Sequence, residues 1–320
     1  MNPDFSSSAK RRWQARSFIA ALLSATMTYF LFPVFGFAED KRPAYIYEDT
    51  RRLVALVEDA AALMERKGES AFAEFKIQGS KWLTDPYYLF VYGIDGTCVF
   101  HPIQPDLIGK NLMSLRDMDG KPVIRFITDI GRRTEKDASG WVFYLWPDKT
   151  QLMPLWKSAY IRKVVAPGNK TYLVGSGIYN IKTEKSFVEE RVRMASALLQ
   201  VKGKDTAFQE FRSRASPFVF LDTYIFVLDM QGRTVVDPAY PTLTGRDLSA
   251  FHDAVGGASI QEMLRKLQHG NEAWVEYLWP RPGASLPSRK LIYARKVRIG
   301  NDTFIVGSDL YLATPIWMRG

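Results

Sequence analysis

The 320-residue chain has one cysteine, Cys98, and three histidines, His101, His252 and His269. A single cysteine excludes an internal disulfide, so the fold must rest on packed cores. Cys98 lies between Gly96-Thr97 and Val99-Phe100, at an expected strand start, where it reads as a small buried hydrophobe. The histidines are scattered, and no local group of His, Cys, Asp and Glu has metal-ligand spacing, so no metal site is expected. The chain also lacks a Gly-x-Ser-x-Gly elbow, a zinc-protease motif and a Walker element. Gly175-Ser176-Gly177 is followed by no Gly-Lys-Ser/Thr, so it reads as strand backbone packed closely rather than a phosphate loop. Regular strand–helix–strand alternation is missing, which argues against a dinucleotide-binding fold. These gaps argue against an enzyme, and no resident cofactor is expected. Asp95 and His101 could be drawn as an acid–base pair, but Asp95 occupies a turn, where aspartate needs no chemistry.

After residue 38 no apolar run is long enough to span a bilayer. The first forty residues differ. Lys10, Arg11, Arg12 and Arg16 precede an apolar run from Phe18 to Ala38, which ends in Gly36-Phe37-Ala38 before Glu39-Asp40. This is the layout of a secretory signal, expected over residues 1–38, with a retained anchor through residues 18–38 as the alternative. Either places the rest in the periplasm or otherwise outside the cytoplasm. The leader carries +3 of the net +9, leaving +6 on the remainder. That excess is scattered and repeatedly paired with acids, so no nucleic-acid partner is expected.

What the sequence does have is a long internal repeat. KG, AFAEF, DG, HP, GKNL, WVFYLWP, KSAY and YLVGSGIY recur as KG, AFQEF, QG, DP, GRDL, WVEYLWP, KLIY and FIVGSDLY. The offset is 136 from Phe72/Phe208 through Leu112/Leu248, 133 from Trp141/Trp274 through Tyr160/Tyr293, and 132 from Gly175/Gly307 to Tyr179/Tyr311. Such collinearity implies duplicated modules, each long enough for its own core. The boundaries are set at 39–185 and 186–320.

Within each module the periodicity predicts a long helix, over Tyr45 to Arg66 and Ser186 to Lys202, interrupted at Lys67-Gly68 and at Gly203. Aromatic and β-branched runs then predict strands at Tyr87–Ile94, Thr97–His101, Trp141–Trp146, Lys157–Val165 and Thr171–Ile178, with counterparts in the second copy. Asp95-Gly96 marks a hairpin turn. Pro122 to Ile130 and Ser259 to Gln268 have helical spacing. The fold class is α+β, an antiparallel sheet with a long N-terminal helix and covering helices, made twice.

Between Tyr92 and Tyr179 the first copy carries Asp95-Gly96, His101-Pro102, Gly109-Lys110-Asn111-Leu112, Asp119-Gly120-Lys121, Gly140-Trp141-Val142, Tyr144, Trp146-Pro147, Lys157-Ser158-Ala159-Tyr160 and Gly175-Ser176-Gly177-Ile178-Tyr179. In this order they resemble the Cache family of extracytoplasmic sensor domains, in particular the single-Cache type 2 subfamily. The second copy keeps Gly245, Leu248, Trp274, Tyr277, Trp279-Pro280, Lys290, Tyr293 and Gly307-Ser308, but has Asp237 for His101 and Asp309 for Gly177. The resemblance implies PAS-like modules that bind a small ligand, a carboxylate or an amino acid, on one face of the sheet. The sequence read here contains no output domain, so a membrane receptor, kinase or transporter partner is expected to carry the signal. Two other classes remain open: a structural or assembly module with vestigial pockets, and a periplasmic enzyme.

Strand alternation puts Tyr144 and Trp146 on one face as a joint pocket wall, and Trp141 on the other unless a bulge intervenes. Tyr277, Trp279 and Trp274 follow the same logic. Lys157 and Tyr160, like Lys290 and Tyr293, are three apart, which alternation alone places on opposite faces. The resemblance implies that the lysine end of this strand reaches the pocket, where an ammonium could pair with a ligand carboxylate. His101 could donate to a ligand or cap the hairpin, as Asp237 could in the second copy. Arg125, in the covering helix, is an anion-clamp candidate. Because the first copy carries the fuller pattern, it is expected to bind more strongly.

Overall fold

The duplicated segments fold into two antiparallel sheets with the same strand order. A computed structural model describes residues 44–148, 151–281 and 283–312; the basic and apolar leader lies outside the described residues. Among the described residues no helix is long and apolar enough to cross a membrane.

The first module opens with α1 (Glu48–Lys67), which buries Leu53, Val57, Ala60 and Met64 among other residues of one face. Glu48 and Asp49 lie in its first turn and Arg66 and Lys67 in its last, the arrangement that complements the helix dipole. It stops at Gly68, whose φ of 59° favours glycine. A single helical turn, α2 (Phe72–Phe75), follows. The sheet comprises β1 (Leu83–Thr84), β2 (Tyr87–Gly93), β3 (Cys98–Phe100), β4 (Ser139–Trp146), β5 (Leu155–Ala166) and β6 (Lys170–Tyr179), and α3 (Val123–Gly131) precedes β4. Its order is β1-β2-β6-β5-β4, with β3 also on β2.

The second module begins with α4 (Lys185–Arg212), interrupted at Gly203, where φ is 77°. It continues through β7 (Val219–Phe220), β8 (Thr223–Tyr224), β9 (Phe226–Asp229), β10 (Thr234–Val236), α5 (Ser259–His269), β11 (Glu272–Pro280), β12 (Pro287–Ile299) and β13 (Asp302–Tyr311). The order β10-β9-β13-β12-β11 reproduces β3-β2-β6-β5-β4. Trp141 and Trp274 fall on equivalent strands and face Tyr160 and Tyr293 across the same register.

Each sheet has two buried faces. On one, Leu89, Val91, Trp141, Phe143, Tyr160 and Val174 pack against α1. On the other, Phe90, Tyr92, Val142, Tyr144, Ala159 and Leu173 pack under Ile124, Ile127 and Ile130 of α3. The helix sits close: a Cβ on Gly131 would meet Leu173 at 2.6 Å. Cys98 is buried in this second core, and burial pushes its thiol up to about 11.

The modules interlock. Phe187 of α4 and Phe220 of β7 pack into the first module's core, with Phe187 4.7 Å from the Trp141 ring. Arg191 of α4, 4% exposed, donates to the carbonyl of Trp141 at 2.6 Å and lies over Phe143. In the other direction Lys121, fully buried just before α3, donates to the carbonyls of Ser216 and Val219. Burial lowers its ammonium to about 8.

Candidate functional site

The α3-side face of the first sheet contains an unusual charge. β5 places Lys157 on the same face as Ala159 and Ile161, directly opposite Tyr144 of β4 and Tyr179 of β6. Lys157 is 1% exposed. Its Nζ donates to the hydroxyl of Tyr88 and lies 4.3 Å from that ring's centre, 5.5 Å from Tyr179 and 5.9 Å from Phe90. Among the described residues it forms no salt bridge. Desolvation, with no compensating carboxylate, brings its pKa down to about 7. An aromatic cage of this kind tolerates a cation through ring quadrupoles and a phenol oxygen, but leaves its charge uncompensated.

His101 stands beside the cage, its ring 5.3 Å from Tyr88 and stacked 6.3 Å from Phe90. Burial, then the Lys157 charge, pulls it down to about 4, so it is neutral at physiological pH. Nδ1 accepts the Gln104 amide at 3.0 Å, which puts the ring proton on Nε2. The capping role is therefore present in the structure. Asp237 caps the matching turn by accepting the amides of Ala239 and Tyr240 at 3.1 and 2.8 Å.

Tyr144 and Trp146 lie on one face, with their rings edge-to-face at 5.6 Å. Trp146, Tyr88 and Tyr179 also line an open cleft of about 640 Å³, whose other walls include Tyr87, Gln104 and Pro147. Cage and cleft thus share Tyr88 and Tyr179.

Four candidates fall elsewhere. Trp141 and Tyr160 pack with tilted rings 5.4 Å apart on the α1 side, Trp141 donating to the Tyr45 hydroxyl and Tyr160 to Glu58. Trp274 and Tyr293 repeat the pair at 5.1 Å on the α4 side. The period-two geometry of the strand separates all four from the lysines, as alternation alone implied, so the structure does not bring these four ligand candidates to the cages. Trp141 instead borders a separate cavity of about 290 Å³, lined also by Phe126, Arg133 and Arg191. Arg125 is exposed on the outer side of α3, so the structure does not bring it to the cage.

The second module builds the same cage around Lys290. Tyr277 and Tyr311 flank it in register, and Nζ lies 4.7 Å from Tyr311, 5.3 Å from Tyr224 and 6.0 Å from Tyr277. Here, however, Asp309 pairs with Lys290 at 2.7 Å, both residues 1% exposed. Trp279, Tyr277, Asp237 and Asp309 border a cavity of only about 40 Å³. Burial, against the pull of Lys290, raises Asp309 to about 6.

The sequence reading missed Tyr88, Tyr179, Tyr224 and Tyr311 as cage residues and Asp309 as the lysine's partner. The signal was present: Tyr88 and Tyr224 share the 136 offset, and Tyr179 and Tyr311 the 132 offset. Among the described residues no group of three or more His, Cys, Asp and Glu could hold a metal ion.

Comparison with known proteins agrees with this duplicated architecture. A Cache domain profile matches residues 76–184, and a Single Cache domain 2 profile matches residues 181–311. The methyl-accepting chemotaxis protein McpP of Pseudomonas putida is 34% identical over 91 residues, 28% of this chain and 16% of that protein's length. The chain thus matches only a small part of this relative. Among solved structures, a periplasmic sensor domain of a chemotaxis protein is 27% identical, covering 39% of this chain and 87% of its own with a TM-score of 0.32. A Cache chemosensory domain described for carboxylic acid recognition is 24% identical, covering 40% and 92%, with a TM-score of 0.35. A methyl-accepting chemotaxis protein from Vibrio parahaemolyticus is 22% identical, covering 41% and 88%, with a TM-score of 0.32. With one profile on each half of a sequence that repeats itself, the chain belongs to the Cache family of sensor domains, as two modules in tandem.

Proposed function

We propose that the first module binds a small organic carboxylate through Lys157, and that the chain serves as an extracytoplasmic ligand-sensing protein rather than an enzyme. The observation that carries this is a fully buried ammonium with no carboxylate partner among the described residues, in an aromatic cage that shares two tyrosines with an open cleft. A buried cation without a counter-charge is costly, and an anionic ligand removes that cost on binding. Tyr88, Tyr144, Trp146 and Tyr179 supply apolar area with phenol and indole donors for the ligand's body. The neutral His101, protonated on Nε2, is a further donor. A plain carboxylate and an amino acid share the group that Lys157 recognises. The amino group of the latter would face Asp85 or Asp148 at the cleft wall.

The leader motif supports export, and similarity to part of a methyl-accepting chemotaxis protein supports a signalling context with a membrane receptor, kinase or transporter as partner. A thermal-shift screen of small carboxylic acids and amino acids, followed by calorimetry, tests the reading. A ligand at a hundred times its Kd should raise the melting temperature by roughly 5–10 °C. A screen in which amines stabilise the protein and no carboxylate does would overturn it.

A further inference from the structure

We propose that Asp309 is the second module's built-in carboxylate, standing where a ligand's carboxylate sits in the first module, so that the chain has one anion-responsive site and one permanently filled copy of it. This rests on the reading of Lys157 as a carboxylate anchor.

The two cages correspond position by position. Tyr88, Phe90, Tyr144, Lys157 and Tyr179 match Tyr224, Phe226, Tyr277, Lys290 and Tyr311 at the offsets of the repeat. The lysines are equivalent in register, each between a tyrosine of the preceding strand and a tyrosine of the following one. The decisive difference is on the last strand. Gly177 faces Ala159, two residues after Lys157, and Asp309 faces Ile292, two residues after Lys290.

That position aims at the ammonium. A Cβ built on Gly177 would lie 2.9 Å from Cε of Lys157. In the second module the side chain that occupies this direction ends in the carboxylate that holds Lys290 at 2.7 Å. Glycine at 177 therefore lets the Lys157 chain lie in the direction that the Asp309 side chain takes in the second module, and leaves Lys157 without the partner that Lys290 has.

Charge and volume lead to the same assignment. A second anion near Lys290 would meet Asp309 and Asp237, both bordering the same small cavity. A cavity of about 40 Å³ has room for a few waters at most, not for a carboxylic acid with a carbon body. Asp309 also keeps one oxygen, Oδ1, buried without a partner among the described residues, while Oδ2 binds Lys290. Burial raises its pKa, while the Lys290 ammonium at 2.7 Å pulls it back towards the ionised form. The second module is thus held by a covalently attached counterpart of the ligand at an effective concentration that a free acid cannot match.

The experiment is a reciprocal exchange in the full chain, read by calorimetry and thermal melts with acetate and butyrate as probes. Wild type should bind one equivalent, and Lys157→Met should weaken that binding at least about 30-fold. Gly177→Asp should weaken binding at least 100-fold and raise the melting temperature of the free protein, because Lys157 gains a partner. Lys157→Met combined with Asp309→Gly should regain one equivalent, now at Lys290, and its melting temperature should rise with acid concentration. If the wild type binds neither acid nor any other carboxylate, the reading of Lys157 fails, and this inference with it. If binding is weakened in this way in Lys157→Met, while the double variant folds but binds no more tightly, the inference alone is overturned. Wild-type affinity in Gly177→Asp also overturns it, and does not depend on the double variant folding.

Discussion

Replacing Lys157 with methionine separates a binding role from a structural one. Methionine keeps much of the apolar stem and deletes the charge, so the cage of Tyr88, Phe90 and Tyr179 can stay packed. The free protein loses a charge that burial disfavours. Lys157 falls from the ordinary 10.5 to about 7. At about 1.36 kcal/mol per pH unit, this corresponds to at most about 5 kcal/mol against the charged form. Below pH 7 both folded and unfolded states hold the proton, and the penalty is fully present. Between pH 7 and 10.5 the unfolded state binds more protons, so wild-type stability should rise with pH through that window relative to the variant. The free K157M protein should therefore be the more stable of the two at pH 6, with the difference shrinking towards pH 9. Affinity should move oppositely. Losing one member of a buried charge pair costs about 2–5 kcal/mol, or roughly 30- to 5,000-fold in Kd. Since an anion binds the protonated lysine, wild-type affinity should fall about tenfold per pH unit above pH 7. The residual affinity of K157M should be flat there. Urea unfolding and calorimetry from pH 6 to pH 9 give both profiles. Affinity unchanged by the substitution, or parallel pH profiles for the two proteins, would refute the carboxylate-anchor argument while leaving the fold untouched.

Four further substitutions test the ties and the packing that hold the modules. Lys121→Met removes the donor to the Ser216 and Val219 carbonyls and should cost about 2–4 kcal/mol in urea unfolding; an unchanged midpoint would rule out a stabilising tie. Glu184→Ala removes the acceptor of the Ile46 and Tyr47 amides, both at 2.9 Å, and should cost about 2–3 kcal/mol. Loss of amide protection at those two positions, read by hydrogen exchange, should accompany it. Gly175→Ala and Gly307→Ala should each destabilise by about 1–3 kcal/mol, because the new methyl meets the Phe90 ring at 2.6 Å in the first module and collides with the Phe226 ring in the second. Melts that match wild type would mean that these rings have room to move.

The strands and the faces of their side chains were legible because the sequence repeats its aromatic and β-branched runs, and because alternation fixes the face. Tyr144 and Trp146 share a face, and Lys157 and Tyr160 do not, as a period of two requires. The two-residue strands Leu83–Thr84 and Val219–Phe220 carry too few residues for a periodic signal. The cage was only half legible. Its lysine, Tyr144 and Tyr179 lie on consecutive hairpin strands, but Tyr88 comes from β2, which meets them only through sheet order. The Asp309–Lys290 pair crosses from β13 to β12 on a diagonal of the register, and no local spacing encodes that. Arg125 was misjudged because helix periodicity allows either face. The sequence itself buries Ile124 and Ile127, and so turns Arg125 to solvent.

The tie at Lys121 has a mechanical consequence. This residue ends the loop that leads into α3, the helix roofing the face that carries Lys157. Its ammonium grips the stretch 216–219 of the other module, which runs directly into β7 and then to Tyr224 beside Lys290. A ligand that lifts or tilts the roof must therefore stretch those two bonds or drag that stretch along. The contact that steadies the resting protein thus also ties the roof over the first cage to the stretch that leads to the second.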